Sequence, residues 1–126
     1  MQDRFKFRGI HPVLNELQEI KFIDFIHNTV DFGDGDIFNI EDVKIQQCTG
    51  LKDKNGKLIY EGDIVKFNYD TDEIKAVISW DDKELIGFYL NTIDYFKDKY
   101  VTDYDFYKDV YEVIGNIYEN PELLEG

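Results

Sequence analysis

Cysteine occurs once in this chain, at Cys48, so no disulfide can close within it and nothing supports an oxidising compartment. Serine also occurs once, at Ser79, and histidine only at His11 and His27. Nucleophilic and metal chemistry therefore start with few candidates. No apolar run approaches the roughly 18 residues that a membrane span needs. The opening Met1-Gln2-Asp3-Arg4 lacks the apolar core of a signal peptide. These absences point to a cytoplasmic protein with no membrane partner. Positive charge is the other shortage: 14 basic residues face 27 acidic ones, a formal net charge of −13 and a pI near 4.4. Phosphate contacts dominate the affinity of most nucleic-acid binders, so direct nucleic-acid binding is disfavoured. The acid is uneven: Met1 to Lys66 carries 9 basic and 12 acidic residues, net −3, whereas Phe67 to Gly126 carries 5 and 15, net −10.

What is present suits one domain, or one domain with a small appendage. The 126 residues can bury a core without metal or disulfide staples, and 43% hydrophobic and 16% aromatic content argues against disorder. Arg4-Phe5-Lys6-Phe7-Arg8 alternates charged and aromatic residues, which predicts a strand with Phe5 and Phe7 inward and Gly9 at its end. Glu19 to Ile26 reads as a second strand, with Ile20, Phe22 and Ile26 on one face. A helix over 13–22 competes, because Val13, Leu14, Leu17 and Ile20 also form a stripe at helical spacing. His27-Asn28 predicts a turn into Thr29–Phe32, and Gly33 to Asp36 a second turn into Ile37–Ile40. The pattern is a meander.

The most regular stretch is TGLKDKNGKLIYEGDIVKF, Thr49 to Phe67. Asn55-Gly56 is a strong hairpin signal, because a type I′ turn needs positive φ at both central positions and these residues tolerate it. Leu58-Ile59-Tyr60 follows as a strand, and Glu61-Gly62-Asp63 makes a tight corner into Ile64–Phe67. Each unusual residue has a backbone task, so the stretch reads as architecture. Ile74–Trp80 and Ile86–Leu90 are further strands around the acidic turn Asp81-Asp82-Lys83-Glu84, and such spacing suggests a small barrel. Tyr95 to Tyr111 has no clean period and reads as a loop or a short helix. Val113–Tyr118 is a closing strand, and Asn120-Pro121 starts a short helix with proline at its first position.

Thr49–Phe67, together with EVIGNIYENPELL at Glu112–Leu124 and FKFRG at Phe5–Gly9, resembles the YopX-like proteins of phages and prophages. The resemblance is close over 43–67 and 112–124 and loose over 68–111; Gln46-Gln47-Cys48 departs from the usual methionine, glutamine and aromatic. It implies a mostly β fold with an SH3-type barrel in the C-terminal part, and an origin in a phage or prophage of a low-GC Gram-positive bacterium. It implies no activity, and no catalytic residues carry over. Residues and resemblance together predict a mainly β protein with minor helix. An N-terminal β-rich meander over 1–42 packs on an SH3-like barrel over 43–126.

Ser79 sits inside a strand, where a hydroxyl more often makes a local hydrogen bond than a nucleophile. Cys48 ends a β-like run and reads as a small core residue. His11 and His27 lack zinc-ligand spacing. From Asp31 the loop to Asp36 fails the calcium template, with glycine at its third and fifth positions and Asp42 at its twelfth. Asp81-Asp82 reads as solvated charge. No cofactor is implied. The better lead is acid mixed with aromatics. Tyr95, Tyr100, Tyr104 and Tyr107 lie among Asp103, Asp105 and Asp109, a composition suited to a protein partner, such as a basic nucleic-acid-binding host protein. Completing an aromatic-rich core is the plainer use of the same rings. A non-enzymatic binding module is the leading expectation, a self-assembling homo-oligomer the second, and a carboxylate-based enzyme or small-ligand binder the third.

Overall fold

The computed structural model describes residues 5–33, 35–69, 71–81, 87–92, 99–100 and 111–124. These are mainly β, with helix limited to 3-10 turns among them. The chain forms two compact units, Met1–Cys48 and Thr49–Gly126. Sequence alone divides it after residue 42, whereas Val43 lies buried in the core of the first unit.

In the first unit β1 (Phe7–Ile10) pairs antiparallel with β2 (Leu17–Glu19), and on its other side with the start of β6 (Ile45–Lys52), setting Gly9 opposite Ile45. A separate antiparallel sheet runs β3 (Phe22–Asp24), β4 (Thr29–Asp31), β5 (Ile37–Asn39). Ile20, Val30, Phe32 and Val43 form the core, with Phe7, Ile23, Phe38, Ile40 and Ile45 packed against it. Burying each such side chain stabilises by about 1.5–3 kcal/mol.

Three expectations need correction here. Gly9 does not end the first strand; it lies buried inside it, where a Cβ would come 2.6 Å from Val43 Cγ1. Phe5 precedes the strand and is exposed, while Phe7 turns inward. Glu19–Ile26 is not one strand. Ile20 N–H donates to Phe7 O in the first sheet, and Lys21 N–H donates to Asp31 O in the second. Two adjacent residues thus serve different sheets, and the strand must break between them. The competing helix stops after one turn. Asn15 N–H reaches His11 O, the N–H groups of Val13 and Leu14 donate to His11 Nδ1, and Asn15 then adopts φ 54°. The turns at His27-Asn28 and Gly33–Asp36 form as expected, with Asn28 at φ 55° and Asp36 N–H donating to Gly33 O.

In the second unit the end of β6 borders β7 (Leu58–Tyr60). A five-stranded antiparallel sheet, curled into a half-barrel, has the order β11 (Lys99–Tyr100), β10 (Gly87–Thr92), β9 (Asp72–Asp81), β8 (Asp63–Tyr69), β12 (Glu112–Asn116). Ile74, Ala76 and Ile78 alternate inward along β9 and meet Ile59, Val65, Phe67, Leu90 and Tyr111. The expected strands at Leu58–Tyr60, Ile64–Phe67, Ile74–Trp80 and Val113 onward are all present, and Pro121 opens a 3-10 turn to Leu124.

The hairpin after β6 is not type I′. Positive φ occurs at Gly56 (82°) but not at Asn55, and Gly56 N–H donates to Asp53 O while Asp53 N–H donates to Lys57 O. This is a type I turn closed by a left-handed glycine. Asp53 selects it, because its Oδ1 accepts the N–H groups of Asn55 and Lys57 and so fixes the turn from within. A second buried carboxylate holds the corner at Gly62 (φ 88°): Asp63 Oδ2 accepts Tyr60 N–H and its Oδ1 accepts Asn116 Nδ2.

Candidate protein-interaction surface

The three-stranded sheet has two unlike faces. Paired residues on neighbouring strands share a face and successive residues alternate. Ile23, Val30 and Phe38 form one row and face the core. Phe22, Asp31 and Ile37 form a row on the opposite face, beside a row of Asp24, Thr29 and Asn39. Phe22 is 69% exposed and Ile37 55%; Phe25 and Ile26, in the turn after β3, reach 77% and 87%. Four large apolar side chains in solvent around one small sheet exceed the scattered exposure expected of a surface.

Carboxylates are frequent in this stretch of the sequence. From Phe22 to Val43 the chain has Asp24, Asp31, Asp34, Asp36, Glu41 and Asp42, and no lysine or arginine. Asp24 shapes the turn: its Oδ1 accepts the N–H groups of Ile26 and His27, and His27 Nδ1 lies 2.7 Å from its Oδ2. A carboxylate only accepts, so that ring nitrogen carries the proton. The His27 side chain first, then the backbone N–H groups, hold the Asp24 carboxyl below its ordinary value.

The remaining candidates occupy structural positions. His11 is buried, with Nε2 at 3.0 Å from Asp36 Oδ2 and its ring 5.0 Å from both Phe32 and Phe38. Because Nδ1 accepts two backbone N–H groups, the proton sits on Nε2 and is donated to Asp36. Cys48 is buried. Ser79 lies in β9 opposite Tyr89. Among the described residues, no three His, Cys, Asp or Glu side chains are grouped to hold a metal ion.

Of the residues expected to bind a partner, Tyr95, Asp103, Tyr104, Asp105, Tyr107 and Asp109 lie outside the described residues, as does Asp82. Tyr100 belongs to β11 and pairs with Tyr89. Tyr111, from the same aromatic segment, is core: it is buried, 5.0 Å from the Phe67 ring and edge-on to it. On a continuous strand Phe22 and Ile26 share a face with Ile20, which is buried, so the alternation of Glu19–Ile26 gives no sign of the exposed row. The run from Phe22 to Val43 without lysine or arginine was the available signal.

A family model described as YopX protein matches residues 11–125. No curated protein matches the chain. Among solved structures, the crystal structure of protein EF1440 from Enterococcus faecalis is similar, with a TM-score of 0.64 and 28% sequence identity over 95% of this chain and 97% of that one.

Proposed function

The chain belongs to the YopX protein family, and from that premise we propose that it is a phage or prophage accessory protein that acts by binding another protein, without catalysis. The observation that carries this reading is the solvent-facing row of Phe22 and Ile37, continued by Phe25 and Ile26, within a segment whose Asp and Glu side chains have no lysine or arginine among them. Apolar side chains supply affinity once desolvated, and the carboxylates favour a basic partner while repelling nucleic acid and anionic lipid. A cytoplasmic host protein that itself binds nucleic acid would present such a basic surface.

The test is capture of host proteins on the tagged full chain at low and high salt, followed by direct binding of the purified candidate to wild type and to F22S/F25S/I26S. Loss of direct binding in that variant, and weakening by salt, support the reading. Undiminished binding in that variant, with loss in D103N/D105N/D109N, would move the surface to the acidic aromatic segment. A defined oligomer without any partner would replace the reading with self-assembly through sheet edges.

A further inference from the structure

We infer, resting on the protein-binding reading above, that the partner contributes an extended basic segment that adds as a strand to the free edge of β3, setting an apolar residue opposite Phe22 and a lysine or arginine opposite Asp24.

Within its sheet β3 has β4 as its one neighbour among the described residues, so the edge along Phe22–Asp24 offers backbone groups to an incoming chain. Sheet edges are commonly guarded by lysine, proline or a bulge; Phe22–Asp24 itself carries none of them, and Lys21, just before it, lies 3.5 Å from Glu19. Strand addition gives affinity through main-chain hydrogen bonds and specificity through alternate side chains. Here the outward side chains of β3 are Phe22 and Asp24, separated by one inward residue, so the matching code is apolar, any residue, basic. Phe25 and Ile26 continue the apolar surface past Asp24. The opposite edge, β5, places Ile37 and Asn39 outward and provides no charge to read.

Charge selects the occupant. A second copy brings a net charge of −13 and has no lysine or arginine between Phe22 and Val43 to set against Asp24. Like charges directly across a strand pair are unfavourable. The Asp24 side chain is 44% exposed and can add a cation from the partner side to the contacts it already has, two backbone N–H groups on Oδ1 and His27 on Oδ2.

The experiment uses the full chain and four labelled peptides read by fluorescence anisotropy: one repeating valine-threonine-lysine-threonine, so that valine and lysine alternate along one face, a scramble of the same composition, and two forms of the alternating peptide N-methylated on alternate backbone nitrogens, one for each edge. The alternating peptide is expected to bind at least about tenfold tighter than the scramble, roughly 1.4 kcal/mol. One N-methylated form should lose binding. D24N, which retains the Oδ1 acceptor for Ile26 and His27, should weaken it by a similar factor, and bound peptide should slow amide exchange at Phe22–Asp24. Equal binding of the scramble or of both N-methylated forms, or slowing at Ile37–Asn39 instead, overturns strand addition at β3. None of these outcomes depends on the captured partner, so this inference can fail while F22S/F25S/I26S still abolishes partner binding.

Discussion

Val113 N–H donates to Asp53 Oδ2 at 2.9 Å across a sequence separation of 60. The same carboxylate accepts Asn55 and Lys57 N–H, and Lys54 N–H donates to Tyr111 O, so one acidic side chain ties the hairpin after β6 to the start of β12. Asp53→Ala leaves those N–H groups without their acceptor. The expected cost is about 2–3 kcal/mol, the scale of hydrogen bonds to a charged group. Urea denaturation reads it directly, and a change below about 0.5 kcal/mol would contradict the node.

Burial pushes the Asp53 carboxyl up, but the N–H groups of Val113, Lys57 and Asn55, with the nearby Lys57 charge, outweigh it and hold the group below its ordinary value. A depressed carboxylate stabilises the fold above its unfolded pKa of about 3.9, and that stability is lost as pH falls through the lower folded value. Stability measured from pH 5 downward should therefore fall less steeply in Asp53→Asn than in the wild type. Parallel curves would show that another group governs acid unfolding.

The turn type separates Asn55 from Gly56. Gly56→Ala forces a side chain into left-handed backbone at φ 82° and should cost about 1–2 kcal/mol. Asn55→Ala meets no such strain and should stay within about 0.5 kcal/mol. Equal losses at both positions in thermal melts would restore the type I′ assignment.

Gly9→Ala probes close packing in the first unit. The added Cβ would lie 2.6 Å from Val43 Cγ1 and 3.1 Å from Lys44 O. Overpacking of that kind costs about 1–3 kcal/mol, measurable by denaturation; an unchanged midpoint would mean that the strands can part without penalty.

Phe25→Ser and Ile26→Ser remove solvent-facing groups, so each should change stability by no more than about 0.5 kcal/mol. A larger loss by differential scanning calorimetry would assign these side chains to the fold rather than to a partner.

Much of the second unit is legible in the sequence, because its signals are local. Ile74, Ala76 and Ile78 alternate, Gly62 marks a corner and Pro121 opens a turn, and each feature is found in place. The first unit is less legible. Ile20 and Lys21 are neighbours in the chain yet bond to different sheets, and nothing in the alternation of Glu19–Ile26 marks that exchange. The same break turns Phe22 outward, so the candidate surface stays hidden while the run is read as one strand.

Side-chain period, turn residues and net charge are properties of short stretches or of composition, so the mainly β class, most strand positions and the acidic character can be read from the amino acids alone. Which face each residue presents, and which distant groups share a hydrogen bond, is set by the packing of the sheets. Asp53 meeting Val113, Gly9 buried against Val43 and Phe22 turned to solvent all depend on pairings between separate strands. A shift of one residue in such a pairing reverses every side chain, so inward and outward are fixed only when the sheets assemble.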